Sequence, residues 1–104
     1  MKKYNEWERV NKRIRRKVFQ PGLHMMSMLV EYEKGGIGPE HAHPHEQLGY
    51  VVQGAIQMTI GGQTVRVSAG EQVHVPGNVL HSVLALEDTL LLETFTPLRE
   101  DLMI

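Results

Sequence analysis

The sequence predicts an all-β fold, a small antiparallel barrel made of short strands. Glycine and proline interrupt the chain at short intervals, as PG at 21, GGIGP at 35, GG at 61, AG at 69 and PGN at 76. Such residues mark tight turns, and no long amphipathic helical pattern separates them. Short strands joined by tight turns favour a closed barrel or a sandwich, and a barrel removes the strand edges that would otherwise be exposed.

Eight predicted strands follow one another between these turns. Each is rich in apolar or β-branched residues, or alternates polar with apolar ones, which is the pattern of a strand. In chain order they are KVF (17–19), MMSMLVEYE (25–33), GYVVQ (49–53), AIQMTI (55–60), TVRVS (64–68), QVHV (72–75), HSVLAL (81–86) and TLLLETF (89–95). Only residues 4–14 have a pattern compatible with a helical turn. We therefore expect an N-terminal arm or strand, residues 1–20, followed by a barrel domain, residues 21–104.

Length and composition limit the kinds of site that the chain can hold. With 104 residues it can build one hydrophobic core, so we expect one domain and one site. The absence of cysteine excludes thiolate metal sites, and a metal would be held by histidine, carboxylate or amide groups. The start MKKYNEWERV lacks the apolar core of a signal peptide, and the apolar runs are too short to cross a bilayer. A cytoplasmic protein without a membrane partner is expected.

Positive charge is concentrated at the start of the chain. The formal net charge is −1, yet eight of the eleven Lys and Arg residues lie within residues 2–17. The run KRIRRK (12–17) suits a phosphate-binding patch, a solvated strand or an arm that covers a neighbouring subunit. It lacks interleaved aromatic residues and a helix-turn-helix pattern, so we expect no nucleic-acid partner. We do expect a homodimer, in which the segment around Trp7 packs across a neighbour.

The stretch EHAHPHEQ, residues 40–47, concentrates histidines that can act as metal ligands. His41 and His43 are two apart, so on a strand they share a face and their Cα atoms lie roughly 6.6 Å apart. Pro44 favours a bend, which turns His45 away and lets Gln47 come back toward the site. His81 begins another predicted strand that a barrel can bring alongside. Three imidazoles and one amide oxygen would make a four-ligand set with positions open for water or substrate.

The spacing of these residues resembles the two motifs of the cupin superfamily. The order is Gly35-x5-His41-x-His43-x3-Gln47-x6-Gly54, then fifteen residues, then Gly70-x5-Pro76-x-Asn78-x2-His81. The resemblance implies an RmlC-like jelly roll, a small antiparallel double-stranded β-helix, with His41, His43, Gln47 and His81 as metal ligands. Gln47 stands where most cupins have Glu, Asn78 where the second motif often has Gly, and Ala85 where it ends in Asn.

The neutral amide of Gln47 affects the expected chemistry of the site. A carboxylate at position 47 would cancel part of the charge of a divalent cation, whereas an amide leaves that charge available. The site should therefore attract an anionic small molecule and act as a stronger Lewis acid. We expect one divalent transition metal, which can be Ni, Zn, Fe, Mn or Cu because imidazole and amide ligands do not select among them.

The C-terminal segment adds polar and aromatic residues to this pattern. Glu93 and Phe95 share one face of a predicted strand, so both can project into the barrel, and Arg99 follows the turn-forming Pro97. Together with the four ligands, they are similar to the pattern of KdgF-type cupins, which linearise unsaturated uronates from pectin and alginate. In that family an aspartate, a phenylalanine and an arginine near the end line the pocket. Here Glu93 stands in the aspartate's place.

The resemblance implies a metal-assisted ring opening and ketonisation of a small anionic sugar. Glu93 would move a proton, a contribution typically worth roughly 10²- to 10⁴-fold in rate, and Arg99 would grip the carboxylate with its planar fork. Phe95 would form one wall of the pocket. Each residue also has a structural alternative, since Glu93 can pair on the surface and Phe95 can fill the core. Arg99 can form an ion pair with Glu100 or Asp101.

Two further residues are candidate substrate contacts, and two other functions stay open. His74 lies two positions before Pro76, and Gln53 shares the strand parity of Gln47, so both can face the cavity. The alternative functions are a cupin dioxygenase acting on a phenolic, diketone or thiol substrate, and a non-catalytic cupin that binds a small molecule. Gln47 counts against the dioxygenase, because many of those cupins combine three histidines with a carboxylate.

Overall fold

The computed structural model describes all residues from 1 to 104 and consists of ten β-strands and one turn of 3-10 helix. The strands are β1 (Trp7–Asn11), β2 (Ile14–Val18), β3 (Met26–Tyr32), β4 (Ile37–His41), β5 (Glu46–Gln53), β6 (Ala55–Ile60), β7 (Gln63–Ser68), β8 (Gln72–Val75), β9 (His81–Ala85) and β10 (Thr89–Thr96). The 3-10 turn covers Glu100–Leu102. No helix in the structure is long and apolar enough to span a membrane.

The strands form two antiparallel sheets that enclose a common core. One sheet has six strands in the order β1-β2-β3-β10-β5-β8, and the other has four in the order β4-β9-β6-β7. Strands that are distant in sequence become neighbours, as β3 and β10 do in the first sheet and β4 and β9 in the second. This architecture confirms the predicted all-β fold with its jelly-roll exchange of strands between two sheets.

Strict alternation of side chains fixes how the strands face the core. In β3 and in the first seven residues of β10, every second residue is buried. Val30, Leu91 and Val51 lie side by side across β3, β10 and β5, and none is more than 5% exposed. Because a slip of one residue would turn such a row of side chains to solvent, the core fixes the register of the strands that carry the site.

The first residues form a β-hairpin. β1 pairs with β2, with Trp7 opposite Lys17. The guanidinium of Arg15 and the ammonium of Lys17 lie 4.3 and 4.9 Å from the centroid of the Trp7 ring. Residues 4–14, the one segment with a pattern compatible with a helical turn, therefore form no helix, because strand pairing and cation–π contacts across the hairpin determine the local structure. Trp7 packs against side chains of its own hairpin.

The hairpin is a continuous part of the six-stranded sheet. β2 pairs along its whole length with β3, from Ile14 opposite Tyr32 to Val18 opposite Met28. Ile14 and Val18 are buried in the same core as the barrel strands. Residues 1–20 thus extend the barrel instead of standing apart from it.

The passage from β5 to β6 carries the chain from one sheet to the other at Gly54. Its φ is +93°, and a Cβ at this position would clash with the carbonyl oxygen of Asp88. Both conditions require glycine, which has no Cβ and tolerates positive φ.

Candidate metal centre

Three histidines converge between the two sheets. His41 ends β4 and His81 begins β9, and the two are paired across these strands. His43 lies in the loop that leads from β4 to β5. The ring centroids are 4.3 Å apart for His41 and His81 and 5.0 Å apart for His43 and His81. One nitrogen from each ring lies within 4.8 Å of the others, an arrangement that can hold one metal ion.

Hydrogen bonds to the backbone set which ring nitrogen is available. Nδ1 of His41 lies 2.9 Å from the carbonyl oxygen of Pro39, and Nδ1 of His81 lies 2.9 Å from that of Val79. A carbonyl oxygen only accepts, so each Nδ1 donates its proton and each Nε2 keeps a free lone pair. Nε2 of His81 is buried and has no hydrogen-bond partner. A metal ion would satisfy this lone pair, so the histidine cluster fits a divalent transition metal.

Gln47 lies next to the three histidines. Its side chain on β5 is 2% exposed. Its Nε2 donates to Oε1 of Glu93 at 2.8 Å, and its Oε1 lies 3.1 Å from Nε2 of His43. Because a carboxylate accepts and does not donate, Glu93 orients the Gln47 amide so that the oxygen faces the histidines.

Burial favours the neutral form of His43 and His81. Desolvation, followed by the positive charge of Arg99, lowers the pKa of His43 to about 4. Desolvation also lowers the pKa of His81, and the hydrogen bond to Val79 opposes this shift in part. Neutral imidazole is the form that binds metal ions.

The loop that carries His43 is held by the loop that precedes β9. The backbone N–H of Asn78 donates to the carbonyl oxygen of His43 at 2.7 Å, and Asn78 has a φ of +65°, which Asn tolerates better than most residues. A Cβ on Gly77 would lie 2.7 Å from the carbonyl oxygen of Pro44. His45 lies outside the cluster, with Nε2 3.0 Å from the carbonyl oxygen of Leu98.

A cavity of about 180 Å³ opens onto this cluster. It is lined by His41, Gln47, His81, Glu93 and Arg99, together with apolar residues of the barrel interior. Pockets for drug-sized ligands measure about 300–1,000 Å³, so this cavity suits a smaller molecule. A larger hollow of about 710 Å³ lies between the two chain ends and contains none of these residues.

Glu93 is a buried carboxyl group inside this cavity. It lies on β10 and is 6% exposed. Burial raises the pKa of Glu93 to about 7, although Arg99 and the hydrogen bond from Gln47 act in the opposite direction. A buried carboxyl group with such a pKa is a feature of catalytic sites.

Arg99 lies beside Glu93 and is engaged by two neighbours. Its guanidinium carbon is 4.9 Å from the centroid of the Phe95 ring. Its Nε and one terminal nitrogen donate to the two carboxylate oxygens of Asp101, at 3.2 and 2.6 Å. Phe95 itself is 1% exposed and meets the His43 ring edge-on, with centroids 5.9 Å apart. Both structural alternatives, core packing for Phe95 and an Asp101 pair for Arg99, are therefore present in the structure.

Comparison with known proteins identifies the family of this chain. Residues 28–95 match the Cupin domain. The chain belongs to the cupin family. It is 32% identical over 99 residues to the pectin degradation protein KdgF of Dickeya dadantii, and this match covers 93% of the chain and 90% of that protein.

Two solved cupin structures share the architecture over almost the whole chain. KdgF from Halomonas sp. has a TM-score of 0.89 and 36% sequence identity, and the match covers 95% of this chain and 91% of that one. An RmlC-like cupin from Shewanella frigidimarina has a TM-score of 0.88 and 31% identity, covering 93% and 87%. The protein is thus a KdgF-like cupin in sequence and fold.

Two residues expected to face the cupin cavity lie elsewhere. His74 is exposed on the outer face of β8, where its Nε2 lies 2.8 Å from a carboxylate oxygen of Glu46. Gln53 is the last residue of β5, whereas Gln47 lies near the start of that strand, and it is exposed. At this end the register of β5 with β10 is irregular. The register shift turns Gln53 away from the face that Gln47 and Val51 share. The structure does not support either residue as a substrate contact.

One charged residue of the cavity was not anticipated from the sequence. Arg16 on β2 lines the same cavity as Glu93 and Arg99. A signal for it is present in the run IRRKV, because Arg16 has the parity of Ile14 and Val18, which are buried. None of the three interpretations of the basic run, a phosphate-binding patch, a solvated strand or an arm over a neighbouring subunit, assigns Arg16 to the cavity.

Proposed function

We propose that this cupin is a metal-dependent enzyme that opens the ring of an unsaturated monouronate and converts it to the linear keto form. Its KdgF relatives support the proposal, since one of them is named for pectin degradation. The observation that carries the proposal is the buried Glu93 carboxyl, 2.8 Å from the Gln47 amide and inside a small cavity lined by two of the three clustered histidines.

The metal site would be formed by His41, His43, Gln47 and His81. A bound divalent ion would supply Lewis acidity to an oxygen of the substrate, which Gln47, being neutral, would not weaken. The ion would be one of Ni, Zn, Fe, Mn or Cu. Because these ligands are neutral, the positive charge of a bound ion would stay uncompensated, which favours an anionic substrate.

Glu93 is the group placed to move the proton of the reaction. In a cyclic unsaturated uronate the anomeric hydroxyl loses a proton, and the ring C–O bond breaks to give an aldehyde and an enolate. The enolate then takes up a proton on carbon and becomes a ketone, so the reaction is an isomerisation without gain or loss of atoms. A single carboxyl group that accepts the first proton and returns the second satisfies this balance.

Phe95, Arg99 and the cavity size define what the substrate can be. The Phe95 ring supports both His43 and the Arg99 guanidinium, and Arg99 adds positive charge next to Glu93. A volume of about 180 Å³ admits one sugar unit, not a polymer. We therefore expect activity on monomers released by earlier cleavage of a polyuronate.

The test is turnover of a freshly generated unsaturated monouronate by metal-loaded protein, followed as loss of ultraviolet absorbance from the conjugated double bond. Glu93→Gln keeps an acceptor for Gln47 but cannot carry a proton, so turnover should fall roughly 10²- to 10⁴-fold. Glu46→Gln is the control. It removes a carboxylate from β5, the strand next to β10, but this carboxylate faces outward beside His74, so turnover should stay unchanged. Decay no faster than in buffer with every metal tested would contradict the proposal.

The same preparation separates the two alternative functions. Oxygen uptake by iron-loaded protein with a phenolic, diketone or thiol substrate would assign a dioxygenase. Ligand binding that survives Glu93→Gln, without turnover of any substrate, would assign a binding protein. Elemental analysis of protein purified without a metal-chelating tag would identify the metal, and a content that stays low after reconstitution would contradict metal dependence.

We further propose that the cupin assembles as a homodimer through the outer face of its six-stranded sheet. On β5 the outward residues Leu48, Tyr50 and Val52 are 37%, 38% and 45% exposed. An antiparallel sheet with one wet face normally carries polar residues there, and a contiguous apolar patch marks an interface. A second copy of this face is the self-complementary partner that twofold symmetry provides.

A further inference from the structure

The cavity opens between the edges of the two sheets. β1 is an edge strand of the six-stranded sheet and β4 is an edge strand of the four-stranded sheet. Both line the cavity, β1 through Val10 and Asn11 and β4 through Ile37 and Pro39. The N-terminal hairpin therefore forms one side of the entrance.

This hairpin concentrates the positive charge of the molecule. Residues 1–17 contain eight Lys and Arg against two Glu, a formal charge of +6, whereas residues 18–104 contain three against ten, a charge of −7. The two parts sum to the net charge of −1. An anionic ligand approaching the cavity is thus attracted to the side on which the hairpin lies.

Arg16 is the hairpin cation that faces the cavity. It lies opposite Val30 of β3 and Glu8 of β1, and Val30 is a buried residue of the cavity wall. Cross-strand partners point to the same side of a sheet, so Arg16 projects inward. Its side chain is 31% exposed, which places it at the entrance.

The hydrogen bonds of the two cavity arginines differ. Arg16 donates from Nε to Glu8 at 2.9 Å, which orients the guanidinium and leaves its two terminal nitrogens available. Arg99 uses Nε and one terminal nitrogen on Asp101. A carboxylate is gripped best by two parallel N–H groups of one guanidinium, and of the two arginines only Arg16 has both terminal nitrogens free of hydrogen bonds within the protein.

We propose that Arg16 is a specificity-determining residue of this site, which grips the carboxylate of a small monoanionic sugar acid through its terminal nitrogens while Glu8 holds its orientation. The inference rests on the proposed function for the identity of the site, but it concerns binding and not turnover. Arg99, held by Asp101, then supplies positive charge beside Glu93 without acting as the clamp.

The experiment uses D-galacturonate, a saturated sugar acid that lacks the reactive double bond, and measures its dissociation constant with the full-length metal-loaded protein by calorimetry. Arg16→Gln should weaken binding about 10- to 100-fold, the loss expected for hydrogen bonds to a charged group. Arg9→Gln is the matched control, because it removes the same charge from the same hairpin at an exposed position. It should change the constant less than about twofold.

Further variants exclude a purely structural effect. Arg16→Lys keeps the charge and the strand but loses the planar fork, so it should weaken binding to an intermediate degree. Binding of D-galactose, the same ring without the carboxylate, should not depend on Arg16. Equal weakening by Arg16→Gln and Arg9→Gln would overturn the proposal, as would loss of binding in Arg99→Gln with Arg16→Gln unaffected. Galacturonate binding that depends on Arg16 in a protein without turnover would contradict the proposed reaction and leave the clamp standing.

Discussion

Gln47 links the histidine cluster to Glu93, the proposed proton-transfer residue. Its amide oxygen faces His43 and its amide nitrogen donates to Glu93, which a carboxylate at this position could not do because it only accepts. A glutamate at this position would bring two carboxyl groups into contact in a buried site. The amide therefore completes the hydrogen bonds between His43 and Glu93, and it would also leave the charge of a bound ion uncompensated.

Gln47→Glu should destabilise the metal-free protein by about 1–3 kcal/mol, because the donor to the buried Glu93 is lost. In the metal-loaded protein a carboxylate ligand binds the cation more strongly, so the gain in stability on adding metal should be larger than in the wild type. Urea unfolding with and without metal measures both effects. Gln53→Glu makes the same change at the exposed end of the same strand and should alter neither quantity. An unchanged response to metal would contradict a ligand role for residue 47.

The Arg99–Asp101 pair gives the protein a pH-dependent contribution to stability. The hydrogen bond from Arg99 lowers the pKa of Asp101 below its ordinary value of 3.8. A depressed pKa in the folded state means that the contribution is complete above the unfolded pKa and is lost as the pH falls through the folded value. Asp101→Asn should therefore reduce the loss of stability between about pH 5 and pH 3. The effect is small, because the Asp101 side chain is 59% exposed.

Unfolding by urea at several pH values checks this prediction. Glu100→Gln removes the neighbouring carboxyl group, which forms no ion pair in the structure, and serves as the control. A pH profile of Asp101→Asn that coincides with that of the wild type would show that the pair contributes nothing to stability.

Sequence spacing could place the cluster because its members lie in two short segments. His41, His43 and Gln47 come from one segment, and His81 from the segment whose PGN turn packs on the first. Spacing could not predict which face of the sheet His74 and Gln53 occupy. The face of His74 depends on the register of β8 with β5, and the face of Gln53 depends on a register shift between β5 and β10. Strand register is not encoded in the local sequence.

At the level of elements, eight of the ten strands were anticipated because apolar alternation is strong in the core strands. β1 was missed because each of its two faces mixes polar and apolar residues, as in WERVN. Its strand conformation comes from pairing with β2 and from the contacts of Trp7 with Arg15 and Lys17. Interactions across the hairpin thus determine the conformation of a segment whose own sequence pattern is ambiguous.

The turn at Gly54 offers a test at the same level. Gly54→Ala combines a φ of +93° with a Cβ that would contact the backbone of Asp88 and Thr89. Strain and overpacking each cost about 1–3 kcal/mol, so the free energy of unfolding should fall by at least about 2 kcal/mol. Gly70→Ala has a similar φ of +86° but open space around the new Cβ, and it should cost clearly less. Equal losses in urea unfolding would show that the close approach at Gly54 is relaxed without cost.

At the scale of the whole molecule, the candidate metal centre joins the two sheets. His41 and His81 lie on the four-stranded sheet, and Gln47 lies on the six-stranded sheet. A bound ion would therefore resist separation of the sheets as well as take part in chemistry. At a free concentration 100 times the dissociation constant, such binding adds about 2.7 kcal/mol, or roughly 10–20 °C in the unfolding temperature of a domain of this size.

Scanning calorimetry with and without a divalent transition metal measures this shift. His81→Ala should abolish the shift caused by metal, whatever it does to the stability of the metal-free protein. His74→Ala removes a histidine on the outer face and should leave the shift unchanged. A shift that persists in His81→Ala would place the metal elsewhere.

The proposed dimer can be tested at this scale, because its interface involves the outer face of the six-stranded sheet and not the four-stranded sheet. Val52 lies on the outer face of the six-stranded sheet and is 45% exposed, whereas Val65 of the four-stranded sheet is 41% exposed. Val52→Lys would bring a charge, together with its twofold copy, into an apolar interface, and the dimer dissociation constant should rise at least about tenfold. Val65→Lys makes the same change at nearly equal exposure and should leave assembly intact. Sedimentation velocity over a concentration series distinguishes the two, and a wild type that stays monomeric, or equal behaviour of both variants, would reject this interface.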